Sequence, residues 1–142
     1  MIDKKNEVNE IRILVLEPGK APEVRSIPNT LECAQEIVGG LIQIVSYDSR
    51  YRNAFKNAEN ANSIVVVCNE EGKLQQLPMN RVLLYGNTIL DVYQGTIFIC
   101  GVTHGDFVSL TDDQVKVLEH VYHEPDQFLR TPYGVIWVND RR

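Results

Sequence analysis

The chain has no long apolar run. Nowhere among its 142 residues do about 18 apolar residues follow one another, so the sequence predicts no transmembrane helix. The N-terminal stretch, MIDKKNEVNEI, is polar and mixed in charge, and it lacks the apolar segment of a signal peptide. We therefore expect a cytoplasmic protein that makes no contact with a membrane.

Cysteine is scarce as well. Cys33, Cys68 and Cys100 are odd in number, far apart in the sequence, and each lies among apolar residues. No CxxC pair is present, which argues against a zinc site, and the odd number argues against a disulfide framework. The pattern is typical of reduced thiols packed in the core of a cytosolic protein, so we expect neither a bound metal nor a cofactor.

Positive charge is in the minority. The chain has 14 Lys and Arg residues against 19 Asp and Glu residues, which gives a net charge of −5. Direct binding of nucleic acid depends on a cationic surface, so this balance disfavours it. The acidic residues are scattered rather than clustered, which also excludes a mimic of the phosphate backbone of DNA.

Recognisable catalytic motifs are missing. The sequence has no G-x-S-x-G segment, no cysteine in an exposed cationic setting, and no carboxylate pair whose spacing implies acid and base roles. His120 and His123 are spaced like two metal ligands on a helix, but cations near a helix C-terminus produce the same pattern. We predict a protein that is not an enzyme and has no catalytic residue.

The features that are present predict one α+β domain. An apolar fraction of 44% is sufficient for a single core, so we assign residues 11–142 to one domain and residues 1–10 to a disordered lead-in. The predicted elements of the first half are strands at 11–16, 23–27 and 41–45, and a helix running from an Asn29 N-cap, with Glu32 three residues on, to Gly39–Gly40. Residues 46–62 fit either a loop or a short polar helix.

The second half predicts more strands than helices. The expected elements are a hairpin of 63–68 and 73–77 that turns at Gly72, a connection at 91–95, a buried strand at 96–102, a helix from the capping box of Thr111 and Gln114 to about His120, and a final strand at 134–138. Because neighbouring strands are linked as hairpins, the predicted class is α+β with a mainly antiparallel sheet and two helices.

Polar residues interrupt the apolar segments in the middle of the chain. Asn69 and Glu70 follow the first strand of the predicted hairpin, and Asn80 and Arg81 come directly before another apolar segment. Side chains in such places must reach water or find partners. Arginine grips carboxylate or phosphate groups, and asparagine supplies a donor and an acceptor, so these four residues form a candidate ligand-binding site. The stacking partner for a ligand ring would be Tyr93 or, alternatively, Tyr85.

A purely structural interpretation of these residues stays open. In it, Glu70 or Glu71 pairs with Arg81 or Lys73, and Asn80 caps the following turn. We expect Arg81 to matter for function without mattering for folding, because a proline-containing bend holds its backbone while its side chain is able to project.

Four ordered segments of the chain resemble a known family. They are ILVLEPGKAPEVRSIPNTLECAQEIVGGLIQIV, VVVCNEEGKLQQLPMNRVL, DVYQGTIFICG and DFVSLTDDQV. Together they span about residues 11–118 and are similar to the uncharacterised family called domain of unknown function 3846. Members of that family occur mainly in Firmicutes, their phages and mobile elements. The family has no established activity, so the resemblance implies a genomic context rather than a mechanism.

Small accessory proteins of phages often counter host defences, and some sequester nucleotide second messengers. By this analogy we expect a non-enzymatic phage or mobile-element protein that binds a small polar, nucleotide-like ligand in the cytoplasm of the host cell. The alternative is an inhibitor or adaptor that covers a host enzyme with an exposed sheet edge. A homo-oligomer is compatible with both hypotheses, and a hydrolase with an unrecognised site is a third.

Overall fold

The computed structural model describes residues 9–46, 63–85 and 88–138. Most of the predicted lead-in, nearly all of the segment 46–62 and the side chain of Tyr85 lie outside the described residues. The elements are β1 (Glu10–Leu16), β2 (Glu23–Pro28), α1 (Leu31–Val38), β3 (Ile42–Ser46), β4 (Ser63–Asn69), β5 (Met79–Tyr85), β6 (Thr88–Gln94), β7 (Ile97–Thr103), β8 (Asp106–Val108), α2 (Asp112–Tyr122), β9 (Gln127–Thr131) and β10 (Gly134–Val138). Within the described residues, neither helix is long and apolar enough to cross a membrane.

The main sheet is antiparallel throughout and has the order β2-β1-β7-β4-β3, with β8 paired to the end of β7. The middle strand is β7, where Ile99 lies between Leu14 of β1 and Val66 of β4. Its first four residues are at most 1% exposed. The predicted buried strand at 96–102 is therefore confirmed, and so is the α+β class with two helices.

The two helices cover opposite faces of this sheet. Ala34 and Val38 of α1 pack into one cluster with the side chains of one face. Val115 and Leu118 of α2 pack into a second cluster with the other face. The first face contributes Val65, Val67, Phe98 and Cys100, and the second contributes Leu14, Val66, Cys68 and Ile99. Alternation of side chains along each strand produces this division.

The predicted capping box of α2 is confirmed. The Thr111 hydroxyl accepts a hydrogen bond from the Gln114 amide at 3.1 Å, and the Gln114 side chain accepts one from the Thr111 amide at 2.9 Å. Arg12 of β1 fixes the start of the helix, because its guanidinium donates to the Leu110 carbonyl at 2.7 Å and pairs with Asp112 at 2.7 Å.

The predicted N-cap of α1 is wrong by one residue. Thr30 caps the helix by accepting a hydrogen bond from the Cys33 amide at 3.1 Å. Asn29 has another partner, since its side-chain amide donates to the Phe107 carbonyl of β8 at 3.0 Å. The predicted C-terminal end is confirmed, because Gly39 adopts a positive φ of 82° and donates to the Gln35 carbonyl at 2.8 Å.

The predicted hairpin of residues 63–68 and 73–77 is wrong. Strand β4 pairs with β3 and β7, and residues 70–76 form consecutive turns instead of a strand. Residues 64–69 are all buried, so β4 needs apolar neighbours on both sides, which the polar segment KLQQL cannot supply. The predicted connection at 91–95 is wrong as well, because residues 91–94 belong to β6, which pairs with β5.

The C-terminal strand predicted at 134–138 is confirmed as β10. It pairs with β9, which the sequence analysis missed, in a separate two-stranded sheet.

All three cysteines are free thiols on different elements, as predicted. Cys100 is fully buried, and burial raises its pKa to about 12. Burial and the charge of Asp91 raise the pKa of Cys68. Cys33 is only half-buried, so the expectation that it is packed in the core holds in part.

Alkylation of the native protein at pH 8 should therefore modify Cys33 first. Cys68 and Cys100 should react only as fast as the protein opens, because the thiolate is the reactive species and burial disfavours it. Mass spectrometry of peptides after iodoacetamide treatment, with and without denaturant, measures this order. Equal labelling of all three thiols under native conditions would contradict the packing described above.

Candidate functional site

A half-open cavity of about 500 Å³ lies between the β3–β4 edge of the main sheet and strand β6. Gln43 and Val45 of β3 and Cys68 of β4 line it from the sheet, and Asp91 and Tyr93 line it from β6. Asn69 at the end of β4, residues 70–74 after it, and Val92 and Gln94 of β6 complete the lining. Val45, Cys68 and Tyr93 also belong to or pack against the core cluster that contains α2, so the inner part of the cavity rests on packed side chains.

Asn69 shapes the loop that borders the cavity. Its side-chain oxygen accepts a hydrogen bond from the Glu71 amide at 2.8 Å, which starts the turn. Its side-chain nitrogen donates to the Val38 carbonyl at the end of α1 at 3.2 Å. Gly40 lies close beside it, so a Cβ there would lie 2.9 Å from that nitrogen and the Asn69 side chain would have to shift. Asn69 therefore joins the loop to the helix, and it lines the cavity as part of that structure.

Gly72 allows the same loop to pack closely against β6. A Cβ at this position would lie 2.6 Å from the backbone oxygen of Gln94, which real structures do not tolerate. The Gln94 side chain in turn donates to the Leu77 carbonyl at 2.9 Å. The loop of residues 70–76 is therefore held by α1 through Asn69 and by β6 through Gly72. These contacts define the shape of the cavity.

The charged residues that line the cavity are mostly acidic. Glu70 and Glu71 are exposed at its edge, and Lys73 forms an ion pair with Asp91 across it. Three carboxylates therefore face one ammonium group. Burial, assisted by the charge of Asp91, raises the pKa of Cys68, so its thiol stays neutral. The cavity consequently disfavours negative charge.

The Tyr93 ring lies beside the cavity, but its hydroxyl group does not open into it. The hydroxyl oxygen is buried and has no hydrogen-bond partner among the described residues. Burial also raises the pKa of this hydroxyl, so the phenol stays protonated. What Tyr93 can offer a ligand is therefore contact with its carbon atoms.

Tyr93→Phe should not destabilise the protein. The substitution removes a buried hydroxyl that makes no hydrogen bond, so we expect the free energy of unfolding to stay the same or to rise by about 1 kcal/mol. Urea denaturation followed by circular dichroism measures the change. The control is Tyr133→Phe, since Tyr133 is 100% exposed and should be neutral. A loss of more than about 1 kcal/mol in Tyr93→Phe would mean that the hydroxyl has a partner.

Asn80 and Arg81 lie away from the cavity. The Asn80 side chain donates to the carbonyls of Leu16 and Gly95 at 2.7 and 2.9 Å, and it accepts from the Arg81 guanidinium at 2.6 Å. Arg81 also donates to the Glu17 and Lys20 carbonyls at 3.3 and 2.7 Å. These contacts attach β5 to the end of β1 and to the turn that follows it.

The expectation that the Arg81 side chain projects is therefore wrong. Arg81 is 1% exposed and Asn80 is 0% exposed. Arg81 follows an irregularity in the pairing of β5 with β6, where Asn80, Arg81 and Val82 are all buried although they are consecutive. The structure brings three of the five predicted residues to one cavity, namely Asn69, Glu70 and Tyr93, and leaves these two elsewhere.

Other residues of the cavity were missed by the sequence analysis. Gln43 could have been found from the sequence, because it is the one polar residue in the apolar segment LIQIV. The ion pair of Lys73 and Asp91 could not have been found in this way, since it depends on the contact of the loop with β6. The histidine pair gains no support as a metal site, since no group of three candidate ligands occurs in the described part of the chain.

Comparison with known proteins gives one match. A family model with the description Domain of unknown function (DUF3846) matches residues 11–123. The match includes both helices and every residue that lines the cavity, and it ends before β9 and β10. No curated protein and no solved structure matches the chain.

Proposed function

The chain belongs to the DUF3846 family, whose description names no activity, and we propose that it is a non-enzymatic protein that binds one small polar molecule in the cavity beside β6. The cavity itself carries the proposal. Its volume of about 500 Å³ suits a small molecule, since ligand pockets commonly measure roughly 300–1,000 Å³. Its inner lining is fixed by packing, and its charged side chains lie at the edge.

The lining favours a particular ligand chemistry. Val45, Cys68 and Tyr93 offer carbon and sulfur surface, which suits an aromatic or aliphatic ring. Glu70, Glu71 and Asp91 offer carboxylates at the edge, which suit an amine or another donor group. A neutral or cationic ligand with an apolar part matches both features.

Sequestration of a nucleotide-derived immune signal is a narrower proposal. It is supported by the resemblance to phage and mobile-element proteins and by the position of Tyr93 in the cavity lining, where its ring could contact a nucleobase. The charges oppose it, because Lys73 is the one cation that lines the cavity within the described residues, and Asp91 already neutralises it. We therefore expect nucleosides and bases to bind more tightly than nucleotides with several phosphates.

A thermal-shift screen tests the proposal. The panel contains bases, nucleosides, nucleotides, cyclic nucleotides and aromatic amines, each at a concentration far above its expected Kd. A ligand at a hundred times its Kd stabilises the folded state by about 2.7 kcal/mol, which raises Tm by several degrees. Recovery of the intact ligand after heat denaturation would support binding without catalysis, and its conversion would contradict it.

A matched pair of variants locates the binding. Gln43→Trp places a large ring at an exposed position of the cavity lining and should abolish the shift in Tm. Gln127→Trp makes the same change at an exposed position of β9, outside the cavity, and should leave the shift unchanged. Binding that survives Gln43→Trp would place the ligand elsewhere. An inhibitor or adaptor of a host enzyme stays the alternative function, and its support is that β2 and β3 have no further strand paired to their outer edges among the described residues.

A further inference from the structure

The ion pair of Lys73 and Asp91 lies in the wall of the cavity and is half-exposed. The Lys73 ammonium group contacts one oxygen of the Asp91 carboxylate, and 58% of the Lys73 side chain and 48% of the Asp91 side chain stay accessible to water. Ion pairs as exposed as this one contribute little to stability, because water screens the charges and two long side chains must be ordered. A charged group of a ligand can therefore replace either partner at little cost.

Asp91 and Tyr93 lie two residues apart on β6, where the pairing with β5 is regular from Tyr93 to Asp91. Side chains at this spacing share one face of a strand and stand about 7 Å apart along it. Both residues line the cavity. Strand β6 thus presents a carboxylate and an aromatic ring to the same space at a fixed separation.

The charge of Asp91 reaches the inner wall of the cavity. Burial is the main cause of the raised pKa of the Cys68 thiol, and the charge of Asp91 raises that pKa further. Burial is also the main cause of the raised pKa of the Tyr93 hydroxyl, and Asp91 adds to it together with Cys68 and Tyr122. A negative potential therefore extends from Asp91 over this wall, and it favours a cationic group beside the ring.

We propose that Asp91 binds the cationic group of the ligand and that Lys73 competes with the ligand for this carboxylate, an inference that rests on the proposed function of the cavity. The ligand class is a protonated amine joined to an aromatic ring by a chain of about two carbon atoms, which suits a separation of about 7 Å between the two side chains. The ring lies against Tyr93, and the ammonium group replaces that of Lys73. Glu70 and Glu71 at the edge of the cavity offer other carboxylates to the displaced Lys73.

Isothermal titration calorimetry with three compounds that share one ring tests the charge preference. The probes are tryptamine, which is cationic, indole, which is neutral, and indole-3-acetate, which is anionic. The wild-type protein should bind tryptamine about tenfold more tightly than indole, because tryptamine alone makes a charge-assisted hydrogen bond to Asp91. Indole-3-acetate should bind most weakly, since the carboxylates of the lining repel it.

Two variants separate the roles of the ion-pair partners. Lys73→Met removes the competitor and should tighten the binding of tryptamine by about fivefold. Asp91→Asn keeps a side-chain oxygen for the hydrogen bond from the Val92 amide, which measures 2.8 Å, but it removes the charge. This variant should bind tryptamine no more tightly than indole, and it should bind indole-3-acetate more tightly than the wild type does, because Lys73 has lost its partner.

Matched controls exclude an effect of net charge alone. Lys116→Met and Asp113→Asn make the same charge changes at exposed positions of α2, outside the cavity lining, and should leave all three affinities unchanged. Circular dichroism of each variant confirms that it is folded at the temperature of the titration.

Equal binding of the three compounds to the wild-type protein would overturn the inference, and so would an unchanged affinity for tryptamine in both Lys73→Met and Asp91→Asn. Either result leaves the proposed function standing if Gln43→Trp still abolishes the binding of the ring compound. If none of the three compounds binds to any variant, the ligand class is excluded and the inference is overturned. The thermal-shift panel then decides separately on the proposed function.

Discussion

Arg81→Ala should lower the free energy of unfolding by roughly 3–5 kcal/mol, which corresponds to a decrease in Tm of about 10 °C. The guanidinium is 1% exposed and donates to the backbone carbonyls of Glu17 and Lys20 and to the side chain of Asn80. Removing it takes these donors away from one buried and two partly buried acceptors and leaves a void between β5 and the turn after β1. Thermal and urea unfolding followed by circular dichroism measure the loss.

Two further variants separate burial from charge as the cause. Arg130→Ala removes the same side chain from an exposed position of β9 and should change stability by less than about 0.5 kcal/mol. Arg81→Lys keeps the charge but loses the planar fork, so we expect an intermediate loss. If Arg81→Ala is as stable as the wild type, the hydrogen bonds described here contribute nothing. Neutralising Glu70 or Glu71 should not rescue it, because both line the cavity rather than the Arg81 site.

Local signals explain why much of the fold was predictable. The Thr111 capping box, the positive φ at Gly39 and the turn after β1 each depend on residues within four positions of one another. The turn is closed by its own residues, because the Lys20 amide donates to the Glu17 carbonyl at 3.1 Å and Gly19 has a φ of 73°.

Long-range pairing explains what was not predictable. The hairpin after β4 was wrong because β4 is a buried strand that pairs with the preceding strand, β3, and with β7, which comes after two intervening strands. The N-cap of α1 was wrong because Asn29 contacts the carbonyl of Phe107, 78 residues away. Neither the pairing of β4 nor the hydrogen bond of Asn29 can be predicted from the neighbouring residues in the sequence.

The same distinction applies to the candidate site. Asn69 and Glu70 were found because their turn is local, with the Asn69 side chain bonded to the Glu71 amide. Arg81 was misjudged because its carbonyl partners, Glu17 and Lys20, are 64 and 61 residues away. A sequence shows that a polar residue sits among apolar ones, but a structure is needed to show whether water or protein satisfies it.

Asn80→Asp should destabilise the protein by roughly 3 kcal/mol or more, although it changes no volume. The Asn80 side-chain nitrogen donates to the carbonyls of Leu16 and Gly95 at 2.7 and 2.9 Å. A carboxylate oxygen in its place would face two carbonyl oxygens in a site that is 0% exposed. Protonation of the new carboxyl group restores one donor, so the loss should shrink as pH falls, but the Arg81 guanidinium, which donates to the other side-chain oxygen at 2.6 Å, favours the ionised form and moves this recovery to lower pH.

Asn29→Asp provides the matched comparison. Its side-chain nitrogen donates to one carbonyl, that of Phe107 at 3.0 Å, in a partly buried position. Water can take over part of that role, so we expect a loss of about 1 kcal/mol that varies less with pH. Urea unfolding of both variants at pH 7 and pH 4.5, each compared with the wild type at the same pH, measures the difference. Equal losses at the two sites at pH 7 would show that the two carbonyls do not need the Asn80 amide as their donor. A loss at Asn80 that grows with acid would show that the ion pair with Arg81 outweighs the repulsion by the two carbonyls.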